Sequence, residues 1–406
     1  MYYRHQGLIG LLVTVFLLSV IPSTADALPR MSATSGAPCS TCHYNTDGGG
    51  IRSDIGFDVA AHTGAIDHGT TGLSILDDRE TNRALEWLAT GMDVRYQMAR
   101  FGEPRVTLDT DSGDPVVTTP ERRLIPMQAQ PYILIDPASF VDVYASYAFG
   151  PDSRDGDWCS TSYPGQTCVQ SHATFRPSSD WPSIRAGLMR PSMGIRHADH
   201  TMLTYADASQ ARPTVIPPNY AELGVEASYQ PRHWLRAEAG GFRSDQLSDA
   251  IGDEAIVESS DPGYLARVTY LPNFDFGVDR AFYGWVGASV YGAGSFRADQ
   301  LFTALGWLDR GALKFELTHM DYGSDAGRRA INLATIGTWN AKEWLIVQGR
   351  VEQAQMRDET TARRQAAVAS LHFYPVPFVK LLPEYRYTRT DDWQMGQYTL
   401  QVHFFY

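Results

Sequence analysis

Two cysteines and a histidine stand close together near the start of the chain, in the stretch C-S-T-C-H at Cys39–His43. Two thiols at this spacing can each form a thioether with one vinyl group of a haem, and a histidine directly after the second can bind the iron. Cys39, Cys42 and His43 therefore predict covalent attachment of one haem c, with His43 as the proximal ligand. Redox dithiols and zinc sites use the same residue types, so both are alternatives to weigh.

These alternatives find less support in the rest of the sequence. A zinc site needs a second Cys/His pair, but the other cysteines, Cys159 and Cys168, lie far downstream with eight residues between them. A thioredoxin-type dithiol is expected within a βαβ pattern, which the sequence does not contain. We expect Cys159 and Cys168 to form a structural disulfide in a long outer loop.

The beginning of the chain has the features of an export signal. Arg4 precedes an apolar run over residues 7–21, and Ala25 and Ala27 occupy the small positions of a cleavage site. The sequence therefore predicts a signal peptide at 1–27 that is removed after export. An oxidising compartment outside the cytoplasm suits both haem c attachment and a disulfide.

Apolar and polar residues alternate along the chain from about residue 91 to its end. In the last ten residues the apolar face consists of Tyr398, Leu400, Val402, Phe404 and Tyr406. Alternation with a period of two is typical of β-strands with one apolar face. After the signal, no apolar run approaches the roughly 18 residues that a membrane helix needs. The 21 Tyr and 9 Trp also favour an all-β fold with aromatic girdles.

Loop lengths distinguish a soluble sandwich from a membrane barrel, because barrels alternate short periplasmic turns with longer outer loops. A strand at about 194–205 is needed to keep this alternation and brings the total to sixteen. The sequence thus predicts a transmembrane antiparallel β-barrel over 91–406, in the outer membrane with a periplasmic N-terminus. The expected long connections are 103–121, 150–181, 206–219 and 244–261.

The segment at 28–90 is predicted to be cytochrome c-like, but it is too short to enclose a haem well by itself. We therefore expect it to enter the lumen or the periplasmic mouth of the barrel, where the wall would complete the haem's surroundings. Spacing does not fix the distal ligand of the iron. His68 is the first candidate, and the alternatives are His62, Met31 and Met92.

Charged residues on the expected lumen face carry both signs. They are Glu222, Glu226, Arg236, Glu238, Lys314, Glu316, Arg350, Glu352, Glu384 and Arg386. The favoured interpretation is an ion-pair network between wall and plug, and the alternative is a set of carboxylates that guides a metal cation. The net charge of −12 permits attraction of cations, and the absence of a basic patch argues against nucleic acid.

The export signal, the single early C-x-x-C-H and the barrel ending on an aromatic strand together resemble the fused monohaem cytochrome–porins of bacterial outer membranes, which include iron oxidases. The likeness is specific at P-C-S-T-C-H (Pro38–His43) and weaker at Gly187–Thr201. It implies one covalent haem c that takes electrons from an extracellular donor, typically Fe(II), and passes them to a periplasmic cytochrome or other carrier. The residues after His43 depart from the iron-oxidase pattern.

The leading functional hypothesis is therefore an outer-membrane electron conduit, with Fe(II) oxidation as its enzymatic form. The alternative is a solute porin in which the N-terminal segment serves as a plug or a tether. A third hypothesis is a haem-bearing sensor or assembly partner of a periplasmic cytochrome system. In each case outer-membrane lipid surrounds the barrel.

Overall fold

A computed structural model describes most of the barrel and three short pieces of the segment at 28–90. The described residues are 42–44, 50–57, 82–101, 105–108, 115–118, 122–149, 167–178, 180–196, 202–203, 216, 220–251, 257–271, 273–275, 281–307, 310–323, 327–357, 361–391 and 394–406.

Twenty strands and one helix lie in this part of the chain. The strands are β1 (Arg83–Leu85), β2 (Leu88–Phe101), β3 (Arg105–Leu108), β4 (Pro115–Thr118), β5 (Arg122–Ala138), β6 (Val141–Tyr147), β7 (Val169–Phe175), β8 (Ser183–Met189), β9 (Glu222–Arg232), β10 (Leu235–Phe242), β11 (Gly263–Tyr270), β12 (Asn273–Asp275), β13 (Ala281–Ala293), β14 (Phe296–Trp307), β15 (Gly311–Asp321), β16 (Arg329–Lys342), β17 (Leu345–Arg357), β18 (Thr361–Val376), β19 (Val379–Thr390) and β20 (Gln394–Phe405). Helix α1 is Asp245–Ile251.

Sixteen of these strands form one closed antiparallel barrel. Each barrel strand pairs with its neighbours in chain order, and β2 pairs with both β5 and β20, which closes the ring. β1 and β12 extend the sheet at its margin, and β3 pairs with β4 as a separate hairpin. The all-β barrel predicted from the sequence is confirmed, including its number of strands.

The outer face of the barrel is apolar, whereas the inner face is mixed. In β14, Ala298, Phe302 and Ala304 are fully buried inside, while Leu301 and Leu305 point outward and are 49% and 47% exposed. The same alternation runs through the other long strands, because successive side chains of a strand point to opposite faces. An apolar belt around a closed barrel is the surface that a lipid bilayer covers.

Aromatic pairs mark the end of the barrel that has the short turns. Trp234 packs edge to face on Tyr270 at 5.9 Å between ring centroids, and Phe140 packs on Phe175 at 6.0 Å. Aromatic residues concentrate at the bilayer interfaces of outer-membrane barrels. β2 begins and β20 ends at this same end, so it corresponds to the periplasmic side.

One predicted strand is wrong, although the total of sixteen is right. The stretch at 194–205 contains no strand among its described residues, and β7 (Val169–Phe175) takes the missing place within the loop expected at 150–181. Instead, residues 190–195 and 202–203 are buried inside the barrel, and Arg196 is partly buried. We call these residues the inward segment. Its apolar positions, such as Ile195 and Leu203, are buried by the lumen wall, which explains why they resembled a strand face in the sequence.

Candidate functional site

The described part of the N-terminal segment forms a compact turn around Cys42. His43 and Arg52 form an antiparallel bridge, and the backbone N–H of Ser53 donates to the carbonyl of Cys42 at 3.1 Å. The Ser53 hydroxyl caps the following helical turn by accepting from the N–H of Gly56 at 3.1 Å. A Cβ atom on Gly56 would collide with the Cys42 carbonyl, so only glycine allows this approach.

This turn packs into the periplasmic mouth of the barrel. Ile51 is buried against inward-facing wall residues, among them Ala89, Tyr132 and Tyr144. On the other side, Phe57 is fully buried and contacts Phe378 at 5.0 Å between ring centroids. The described turn therefore lies at the mouth, while the position of the rest of the segment stays a prediction.

The end of the chain contributes directly to this contact. Phe57 also meets the ring of Tyr406 edge to face at 5.6 Å, and Arg52 donates to the carbonyl of Phe405 at 3.1 Å. The guanidinium of Arg52 lies over the Phe405 ring, 5.0 Å from its centroid. Because Phe405 is the last residue of β20 and Tyr406 follows it, the described turn covers the place where the barrel closes.

A polar clamp fixes the other side of the turn. Arg83 donates to Asp54 at 3.1 Å, to the Tyr44 hydroxyl at 2.7 Å and to Asp136 at 3.2 Å. Burial raises the pKa of Tyr44, and the nearby Arg83 only partly offsets this effect. Tyr44 is therefore a neutral phenol that accepts from Arg83 across the physiological pH range.

The predicted haem residues are only partly within the described chain. Cys42 and His43 lie at the mouth and are both partly buried. Cys39 and the candidate distal ligands His62, His68 and Met31 fall outside the described residues, so their roles remain predictions.

Met92 is described, and its position argues against a role as distal ligand. Its side chain is 42% exposed and shares the outward face of β2 with Tyr96 and Met98, opposite the face on which Ile51 packs. Only one of the two cysteines of the predicted disulfide is among the described residues. Cys168 is disulfide-bonded, but Cys159 lies outside the described residues, so the pairing itself remains a prediction.

His172 faces the lumen on β7 and is not among the residues predicted from the sequence. Its ring packs on Tyr144 at 5.1 Å between centroids, and Tyr144 belongs to the wall cluster that contacts Tyr44. The alternation of exposed and buried residues over Val169–Phe175 could have revealed this strand and its histidine. The strand is hard to recognise from the sequence because it is short and lies within the stretch 150–181, which the sequence predicts as one long loop.

Three wall carboxylates hold the inward segment. Glu226 accepts from the backbone N–H of Ser192 at 3.0 Å and from its hydroxyl at 2.8 Å. Glu316 accepts from the N–H of Ile195 at 3.1 Å, and Glu352 accepts from the N–H of Leu203 at 2.5 Å. These acids stand on β9, β15 and β17, so the segment is tied to well-separated parts of the wall.

Most of the predicted lumen charges are paired along the wall. Arg185 pairs with Glu226 at 3.0 Å, Arg236 with Glu238 at 2.6 Å, Arg350 with Glu352 at 2.6 Å and Arg386 with Glu384 at 2.9 Å. Among the described residues, no group of three or more His, Cys, Asp or Glu side chains could hold a metal ion. The described pairs agree with the ion-pair interpretation in that they run along the wall, whereas pairs from these lumen charges to the segment at 28–90 stay a prediction.

The outer half of the lumen contains an apolar cluster. Met189, Met193 and Leu203 pack with Phe242, and Tyr291 lies in the same cluster. Tyr220, just before β9, shares a hydrogen bond of 2.5 Å with Tyr291 and donates to Glu222 at 3.0 Å. The inward segment and α1 therefore narrow the barrel from its outer side.

Many solved structures share this architecture, including a channel and a porin. The outer membrane channel DcaP of Acinetobacter baumannii superposes with a TM-score of 0.50 at 13% identity, covering 79% of this chain and 97% of the channel. An anion-selective porin from Comamonas acidovorans superposes with a TM-score of 0.51 at 10% identity, covering 79% and 99%. The chain has the fold of an outer-membrane porin.

Identities this low show the fold alone. No known family model matches the chain, and no curated protein sequence matches it. Within the described residues, no helix is long and apolar enough to cross a membrane. The porin-like barrel, with its apolar outward face, lies in the outer membrane and contacts lipid there.

Proposed function

We propose that the chain is an outer-membrane channel for small solutes, narrowed by its inward segment. The observation that carries this proposal is the closed sixteen-stranded barrel with a charged inner wall. Barrels of this size enclose an aqueous passage. The bonds from Glu226, Glu316 and Glu352 to the inward segment would define the narrowest part of that passage.

Swelling of proteoliposomes in solutions of neutral sugars of graded size tests this proposal. We expect rapid entry of the smallest sugars and a steep decrease with size, because the inward segment limits the diameter. Swelling that is no faster than in protein-free liposomes, with the barrel shown to be folded by its heat-modifiable gel mobility, would contradict the channel.

A second candidate function is the haem-bearing electron conduit, and the position of Cys42 and His43 favours it. The donor set suits a haem c, because a partly buried thiol and imidazole are adjacent and their backbone is held by Ser53 and Arg52. Cys39 and Cys42 would form the thioethers and His43 would bind the iron. A bound haem would supply one-electron redox chemistry at the mouth.

The test of the conduit is a reduced-minus-oxidised spectrum and a haem stain of the purified full-length protein. Cys39→Ala and His43→Ala serve as controls, and Fe(II) added outside intact cells tests the donor. We expect a haem band that the Cys39 variant weakens. Absence of the band in a host that attaches haem c would remove the conduit and leave the channel intact, and a haem indifferent to Fe(II) would remove only the iron assignment.

The distal ligand of such a haem remains a proposal. His68 is kept as the first candidate, with His62 and Met31, and the structure adds His172 because of its contact with Tyr144. Replacing the true ligand would shift the Soret band of the ferric protein, whereas replacing the others would leave it in place.

A further inference from the structure

Five arginines form an arc on the outward face of the barrel, at the end with the long loops. They stand at or near the ends of β2, β5, β17, β18 and β19, and all are exposed: Arg100, Arg122, Arg357, Arg363 and Arg389. Because β20 lies between β19 and β2, these strands and β20 make a continuous stretch of wall. We call these residues the rim arginines.

The pairing register sets like charges side by side within this arc. Arg100 and Arg122 are direct cross-strand partners between β2 and β5. Side chains directly opposite in an antiparallel pair have their Cβ atoms about 5 Å apart, and like charges there destabilise the sheet. Two guanidinium groups at this distance are stabilised when an anion lies between them.

Other arginines of the same rim already have carboxylate partners. Arg297 pairs with Asp299 at 2.7 Å, Arg329 with Asp321 at 3.2 Å and Arg243 with Asp245 at 2.9 Å. Among the described residues, no carboxylate forms an ion pair with a rim arginine. Asp391 lies beside Arg363 but accepts from its backbone N–H at 3.0 Å.

The surface below the rim arginines changes from aromatic to aliphatic. Tyr398 is the direct partner of Arg100, is 59% exposed and packs on Tyr385 at 4.7 Å between ring centroids. One step further toward the periplasm, Met98 pairs with Leu124, which is 71% exposed. Cations beside exposed aromatic rings and above an aliphatic belt match the outer leaflet, where phosphate and interface lie above the acyl chains.

We propose that the rim arginines bind the phosphate groups of an anionic glycolipid in the outer leaflet, with its acyl chains lying on the belt below. Arginine suits this role because its planar guanidinium donates two parallel hydrogen bonds to a phosphate. The pair Arg100 and Arg122 forms the centre of the site. A free phosphate would engage the same guanidinium groups but would gain nothing from the aliphatic belt.

The test compares two double variants of the full-length barrel that lose the same charge. R100Q/R122Q removes the cross-strand pair that has no carboxylate partner among the described residues, whereas R243Q/R297Q removes two other arginines of the same end of the barrel that pair with carboxylates. Binding of bisphosphorylated lipid A in detergent micelles is measured by native mass spectrometry and by the rise in melting temperature. Dephosphorylated lipid A and inorganic phosphate are the comparison probes, and heat-modifiable gel mobility verifies folding.

We expect R100Q/R122Q to bind bisphosphorylated lipid A about tenfold more weakly than wild type, and R243Q/R297Q to bind within about twofold. Wild type should prefer the phosphorylated lipid over the dephosphorylated one and over inorganic phosphate. If both double variants lose the same affinity for bisphosphorylated lipid A, the binding depends only on general charge attraction, and the proposed site is overturned. Inorganic phosphate binding as tightly as the lipid would overturn the assignment to a membrane lipid.

Discussion

At the scale of single residues, side chains close together in the sequence can differ strongly in burial. The docking of the Cys42 turn against the barrel buries some of them and leaves others exposed. Phe57 is fully buried against Phe378 and Tyr406, whereas Ile55, two residues earlier on the same helical turn, is 58% exposed. The mouth contact therefore depends on a few aromatic rings and on the Arg83 clamp. Sequence alone predicted a segment at the mouth that carries Cys42 and His43, but it could not show which side chains anchor the described turn.

Replacing Phe57 should release the segment from the mouth without unfolding the barrel. Phe57→Ala removes a buried ring, a change that typically costs about 3–5 kcal/mol. We expect faster protease cleavage within the segment, measured by mass spectrometry of the released peptide. Ile55→Ala is the matched control and should be cleaved at the wild-type rate. Equal cleavage of both variants would contradict the docking of Phe57.

The Arg185–Glu226 pair predicts a second effect at this scale, since both side chains are almost completely buried. Glu226→Gln leaves the guanidinium without its carboxylate and weakens the bonds to Ser192, so the free energy of unfolding should fall by about 3–5 kcal/mol. Guanidinium titration of the barrel in micelles measures this loss. Asp245→Asn, which breaks the exposed pair with Arg243, should cost no more than about 1 kcal/mol. A similar loss in the free energy of unfolding for both variants would show that the buried pair does not stabilise the barrel more than the exposed one.

At the scale of elements, regular strands were predictable and irregular connections were not. Strands such as β14 and β15 alternate over their whole length, so their faces follow from the sequence alone. In the stretch around Ile195 and Leu203, the backbone N–H groups of these two buried apolar residues donate to carboxylates of the wall. Contacts between residues more than a hundred positions apart leave no local pattern to detect.

The position of β7 can be tested with a photo-reactive amino acid. Ala173 is exposed on the outward face and Thr174 is buried on the inward face of this strand. We expect the probe at Ala173 to crosslink to lipid in native membranes and the probe at Thr174 to crosslink to protein. If neither position crosslinks to lipid, the stretch is not a membrane-facing strand and the prediction of an outer loop is favoured.

At the scale of the whole molecule, the closed barrel provides room for an aqueous passage, whereas the inward segment and the Cys42 turn restrict it. A sixteen-stranded wall encloses enough room for an aqueous passage, while the inward segment narrows it from outside and the Cys42 turn covers part of it at the periplasmic end. The barrel class, its strand number and its membrane followed from alternation and loop lengths. How far the lumen is filled depends on tertiary contacts that the sequence pattern does not encode.

The most direct test of the proposed channel is single-channel conductance of the full-length protein in planar bilayers, compared with Ser192→Ala. Ser192 donates from its hydroxyl to Glu226 at 2.8 Å, so its loss should loosen the inward segment. Ser183→Ala is the control, because that hydroxyl bonds to Ser228 on the neighbouring strand. We predict small discrete conductance steps for wild type and Ser183→Ala, and steps about twofold larger for Ser192→Ala, in keeping with the loss of one charge-assisted hydrogen bond. Folded barrels that pass no current in any of the three forms would contradict the channel.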